Sequence, residues 1–140
     1  MDRFHAKKEE LTPRRATAFS AGYDFVSPTD FTIPAHGTSE VIDGEVSVEL
    51  ESWDVLLVFV RSSWGFKHGI TLVNGTGVID ADFYPNTIKF KFRNDSDEDF
   101  EVHKGDRIAQ GIIFRYGVVE GDADYAVKVN RTGGIGSTGE

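Results

Sequence analysis

Apolar and polar residues alternate over Val46-Ser47-Val48-Glu49-Leu50 and again over Ile88-Lys89-Phe90-Lys91-Phe92. A period of two sends successive side chains to opposite faces, so each run predicts a half-buried β-strand. Val55-Leu56-Leu57-Val58-Phe59-Val60 has no polar interruption and predicts a strand buried on both faces. Phe100-Glu101-Val102, Ile108 to Phe114 and Tyr116 to Val119 continue the series, and no window keeps a helical period for several turns. Many short strands divided by turn residues predict an all-β sandwich or barrel. The polar stretch Asn94 to Asp99 then connects two strands. It has the acids of a calcium loop, but Phe100 stands where that loop needs glycine.

Composition narrows the picture to one domain, since 140 residues with 39% hydrophobic and 12% aromatic content suffice for one core and not two. From about Glu120 the chain becomes too poor in apolar residues to pack on its own. A body over residues 1–129 and a flexible arm over 130–140 are therefore expected. A formal charge of −8 speaks against nucleic acid and offers no polybasic face to a membrane. Any phosphate bound here must meet locally concentrated cations. Cysteine is absent, and Met1 to His5 lacks the apolar run of a signal peptide, so a cytoplasmic protein is expected. No apolar stretch has membrane-spanning length, Val55 to Val60 being stopped by Arg61.

Several segments offer chemistry, each beside a plainer reading. Arg61-Ser62-Ser63 follows the most apolar strand. Its hydroxyls could cap a short helical turn facing an anion, with Arg61 gripping phosphate, or it is an ordinary corner. Asp80 and Asp82 stand two apart after Gly77-Val78-Ile79; on an extended strand both would point to one side, one to orient a water, or they are solvated acids at a hairpin end. Gln110 is the odd polar residue in a buried-looking run and needs partners there. Gly134 to Gly139 spells the dinucleotide fingerprint. That motif works between a strand and a helix, and with one residue after it no such context is expected. Its glycines can still curl backbone N–H groups around phosphate, with Arg131, Ser137 and Thr138 adding donors, or the tail has no binding role. Three Asn-x-Ser/Thr sequences carry no weight without a secretory route, and the four scattered histidines lack zinc-ligand spacing.

In order, Ala21-Gly22-Tyr23-Asp24-Phe25, Arg61 to Gly65, Gly77 to Phe83, Gly105 to Gln110 and Arg131 to Gly139 resemble the five motifs of trimeric dUTP pyrophosphatases. The resemblance implies a dUTPase-like β jelly-roll of the β-clip type with a flexible C-terminal arm. It implies a homotrimer that hydrolyses dUTP to dUMP and pyrophosphate by water attack on the α-phosphorus, with Mg2+. Each site would take the second and fourth motifs from one chain, the third from a neighbour and the fifth from the remaining chain. Asp80 then matches the carboxylate that orients the water, and Asp24 the acid that holds metal-bound water. Ser62 and Gln110 match contacts to the phosphate chain; Arg61, Arg131, Ser137 and Thr138 match the surroundings of the outer phosphates, and Ser63 and Gly136 count among the substrate-binding positions. Asn74 and the Gly77-Val78-Ile79 backbone match a uracil-reading hairpin.

The chain departs from the pattern at five places. Phe83 replaces a tyrosine under the sugar and Ile135 a phenylalanine over the uracil, while Val60, Ser63 and Pro85 replace proline, glycine and glycine. Two other readings stay open. A dCTP deaminase relative would need a glutamate on the strand after the third motif, where Ile88-Lys89-Phe90-Lys91 has no acid. A regulatory binding protein on the same scaffold would use nucleotide occupancy to control a protein partner.

Overall fold

The computed structural model describes residues 1–125. In chain order the strands are β1 (Arg3–Ala6), β2 (Tyr23–Val26), β3 (Phe31–Ile33), β4 (Ile42–Asp43), β5 (Val46–Glu49) and β6 (Asp54–Val60). After helix α1 (Ser62–His68) come β7 (Ile70–Leu72), β8 (Gly77–Ile79), β9 (Lys89–Phe90), β10 (Phe92–Asn94), β11 (Phe100–Val102), β12 (Arg107–Arg115) and a last helical turn, α2 (Asp122–Tyr125). Pairing is antiparallel throughout. The central sheet has the order β2-β12-β6-β8, and β1-β5, β4-β9, β10-β7 and β11-β3 form smaller ladders around it. The all-β expectation holds. No described helix is long and apolar enough to cross a membrane.

Aromatic rings run through the core. Phe25 meets Phe90 at 5.4 Å between centroids, Phe90 stacks on Phe92 at 6.4 Å, and Trp64 sits edge-on to both Phe92 and Phe100 at 5.1 Å. Trp64 is the buried residue of α1, so the helix is pinned by its own indole. Such a ring is worth about 3–5 kcal/mol against alanine. Gly69 ends the helix in the left-handed conformation (φ 65°), its N–H returning to the Trp64 carbonyl.

Four expectations need correction. β6 is not buried on both faces: Leu56 and Val58 enter the core, whereas Val55, Leu57 and Phe59 stay half exposed in one copy of the chain. Ile88 to Phe92 keeps its alternation but is two strands. At Lys91 the chain leaves β4, where Phe90 faces Ile42, and joins β7, where Phe92 faces Leu72. Tyr116 to Val119 forms no strand: the β12–β6 ladder ends at Arg115 opposite Asp54, with one further bond from the Tyr116 N–H to the Trp53 carbonyl at 3.1 Å; Val118 and Val119 lie exposed, and the Tyr116 hydroxyl donates to the Ser52 carbonyl at 2.7 Å. The serines do not cap α1, whose N-cap is Arg61 with no side-chain bond.

Candidate active site

The register of the central sheet sets the first half of the site. Gln110 of β12 lies opposite Phe59 of β6 on one side and Asp24 of β2 on the other. Arg14 extends the row, bridging Asp24 through a 2.8 Å bond from the Asp24 N–H and a 3.4 Å bond back. Directly opposed residues share a face, so Phe59, Gln110, Asp24 and Arg14 line up across it. Gly22 leaves room for this amide: a Cβ at that position would come within 2.6 Å of Gln110 Oε1 and push the end of that side chain aside. Gln110 itself is only partly buried, so the fully enclosed glutamine expected from sequence gives way to one open to a ligand.

Asp24 keeps 21% of its side chain exposed and faces Arg107 Nη1 at 3.6 Å. A bulge between Arg107 and Ala109 breaks the regular ladder at this point. Arg61, just past β6, donates from Nη1 to the Arg107 carbonyl at 3.3 Å and so ties the start of α1 to the same bulge. The Trp64 and Gly65 N–H groups return to the Arg61 carbonyl, which leaves the first-turn amides of Ser62 and Ser63 without intrahelical acceptors. Ser62 is exposed and Ser63 half-buried. Asp24, Arg61, Ser62, Ser63 and Gln110 thus converge on one end of the sheet, with the cations that an acidic chain needs in order to hold an anion.

The third motif lies elsewhere. β8 pairs with β6 so that Val58 faces Gly77, Leu57 faces Val78 and Leu56 faces Ile79. The next residue, Asp80, is therefore carried toward Val55, six residues from Arg61, or about 20 Å along an extended strand. Asp80 is the N-cap of a 3-10 turn over Ala81–Phe83, not part of an extended strand, so its spacing from Asp82 does not set the two acids on one side. Phe83 is half-buried, and its carbonyl accepts from the Asn86 N–H and side-chain amide at 2.9 and 2.8 Å.

Asn74 is exposed at a turn where Gly75 has φ 75°, and its Nδ2 would lie 3.7 Å from a Cβ placed on Gly77. Its two flanking strands are not a paired hairpin, since β7 pairs with β10 and β8 with β6. β8 is an edge strand of the central sheet, so one side of its backbone has no strand partner among the described residues. One copy consequently carries Asp80 away from the Arg61 cluster, while Gly77, opposite Val58, stays at the nearer end of β8. Arg131, Ile135, Gly136, Ser137 and Thr138 lie outside the described residues.

Among the described residues no three His, Asp or Glu side chains group to cage a metal. Asp24 is a single hard-oxygen donor beside a guanidinium, which suits a hydrogen bond to metal-bound water more than direct coordination. Arg107 was legible within the fourth motif but unassigned. Arg14 gave no signal in sequence, being brought to Asp24 only by the bridge.

The model of the dUTPase family matches residues 8–139. The deoxyuridine 5'-triphosphate nucleotidohydrolase of Lactococcus lactis subsp. lactis is 36% identical over 132 residues, covering 91% of this chain and 87% of that protein. The enzyme of the same name from Arabidopsis thaliana is 40% identical over 142 residues, with 97% and 82% covered. The crystal structure of dUTPase from Streptococcus mutans superposes with a TM-score of 0.77 at 31% identity, over 84% of this chain and 98% of that one. The sheet that sets Asp24 beside Gln110 therefore belongs to a known architecture, and the match runs through the segments built above: this chain is a member of the dUTPase family.

Proposed function

We propose that the chain is a dUTP diphosphatase, hydrolysing dUTP to dUMP and pyrophosphate at sites shared between copies of itself. One observation carries the reading. The phosphate-binding cluster and the candidate base occupy opposite ends of β6, about 20 Å apart, so a second copy must supply one of them. The means of association is on the same sheet face. Val55, Leu57, Ile112, Phe114 and Val78 form an apolar surface that a single copy leaves partly or well exposed. Packing copies through it buries that surface and sets the Asp80 end of one chain beside the Arg61 end of the next. A homotrimer, with residues 130–140 as an arm closing over the site, completes the arrangement.

The roles follow from chemistry. Asp80 takes the proton of the water that attacks the α-phosphorus. Ser62, the amides at the start of α1 and Gln110 hold the phosphate chain in line, and Arg61, joined by Arg131, Ser137 and Thr138, meets the outer phosphates. Asp24 would hold a water of the Mg2+ that accompanies the triphosphate. When bound, Mg2+ neutralises charge on the phosphates. The backbone edge of β8, which no described strand covers, can pair with a pyrimidine much as it would with a strand, and Asn74 over Gly77 adds an amide. Phe83 lies against the sugar.

The test is to incubate the chain with Mg2+ and dUTP, dCTP, dTTP or UTP and to assay both pyrophosphate and ammonia. Pyrophosphate from dUTP alone is expected. Ammonia from dCTP would make the chain a deaminase, and neither product would leave a binding protein. UTP is expected to fail even though Phe83 lacks a phenol, because a ring under the sugar leaves no room and no partner for a 2'-hydroxyl. Comparable kcat/KM for dUTP and UTP would show that the missing hydroxyl was essential.

The arm supports a smaller expectation. Aromatic stacking on a base is worth about 1–3 kcal/mol, and Ile135 recovers only apolar contact. Ile135→Phe should tighten a non-hydrolysable dUTP analogue several-fold, by about 1 kcal/mol, in a calorimetric titration. Unchanged or weaker binding would mean that Ile135 does not cover the base.

A further inference from the structure

Arg14 belongs to none of the five motifs, yet its backbone bridges Asp24 directly and its side chain shares the face that carries Asp24 and Gln110. Counting across the sheet, Gln110, Asp24 and Arg14 stand in sequence at about 4.8 Å per strand. Arg14 is thus the next position outward from the residues that hold the phosphate chain and the metal-bound water. A cavity of about 250 Å³ opens there, lined by Arg14, Arg15, Asp24, Val26 and Arg107, with Glu10 at its side.

The three arginines of this cavity differ in how they are held. Arg15 is committed to its own loop, Nη1 donating to the Ala18 and Ser20 carbonyls at 2.8 and 3.1 Å. Arg107 faces Asp24 at 3.6 Å. Among the described residues the Arg14 side chain pairs with Glu9, at 3.4 Å, in a pair whose side chains are 69% and 90% exposed. An ion pair that open to water holds its partners weakly, and a polyphosphate arriving at the cavity competes for the guanidinium with several charges and a bidentate fit. The chain as a whole carries −8, so a cation placed at the outer end of the phosphate row has a clear electrostatic purpose.

We infer that Arg14 binds the outer phosphates of the substrate and, after cleavage, the leaving pyrophosphate, swinging from Glu9 to do so. The inference rests on the dUTP diphosphatase reading. Arg14 would be a binding residue that leaves proton transfer to Asp80.

Arg14→Gln and Arg14→Lys test it by steady-state kinetics and product inhibition. Arg14→Gln should raise KM for dUTP about ten-fold, the usual weight of one charge-assisted contact, with kcat changed less than about two-fold. Inhibition by pyrophosphate should weaken by a similar factor while inhibition by dUMP stays as in the wild type, and lysine should restore part of the loss. Unchanged KM and pyrophosphate inhibition in a folded variant would overturn the inference, as would equal weakening for dUMP. Calorimetric titration of wild type and Arg14→Gln with Mg2+ and pyrophosphate separates the two readings. Wild-type binding of pyrophosphate that depends on Arg14, without hydrolysis of dUTP, would keep the inference and overturn the proposed function.

Discussion

Asp80→Asn is expected to lower kcat about 10²–10⁴-fold, the usual contribution of a general base, while the protein stays folded and still binds dUTP. The substitution isolates the chemistry because asparagine keeps the size of the side chain, and the position of Asp80 before the turn Ala81–Phe83 involves no side-chain capping bond. The carboxamide can still hold a water by hydrogen bonds but cannot accept its proton at neutral pH. The loss should therefore appear in kcat and leave the dissociation constant of a non-hydrolysable analogue within a few-fold of the wild type. Turnover near the wild-type rate would remove Asp80 from the role, and weakened analogue binding would make it a substrate contact instead.

How far the sequence could be read depended on whether a feature is local. Val46 to Glu49 and Phe100 to Val102 are strands where period-two patterning predicts them, because alternation reports which side chains face the core. Patterning does not report what covers a face. Val55, Leu57 and Phe59 are as apolar as Leu56 and Val58, yet only the latter pair is buried within one copy. Nor does it report partners. Phe90 and Phe92 point the same way and belong to different ladders. At the site, Asp24, Arg61, Gln110 and Asp80 were legible as motif residues, but that Asp24 and Gln110 are neighbours while Asp80 and Arg61 are not follows from register alone. Asp80 and Asp82 show the limit most plainly. A spacing of two implies a shared side only on an extended strand, and the chain turns at Asp80.

That separation yields the sharpest expectation. Arg61→Gln and Asp80→Asn, each impaired alone, should regain activity when the two chains are unfolded and refolded together. Arg61 ends β6 and Asp80 falls beside its start, so the two cannot reach one substrate within one chain across about 20 Å. In mixed oligomers, some sites would combine an intact Arg61 from the Asp80→Asn chain with an intact Asp80 from the Arg61→Gln chain. With equal amounts and random association, about a quarter of all sites should be of this kind, half of one component meeting half of the other. Against the Asp80→Asn parent, depressed about 10²-fold or more, and with the Arg61→Gln parent assayed at dUTP well below its raised KM, recovery to roughly a quarter of wild-type turnover is a large signal. The contrary case is equally definite: if each chain built its own site, every site in the mixture would carry one lesion, and mixing would restore nothing. Native mass spectrometry distinguishes a true negative from a failure to mix. Mixed oligomers without recovered turnover would place Asp80 and Arg61 in the same chain's site and overturn the shared arrangement.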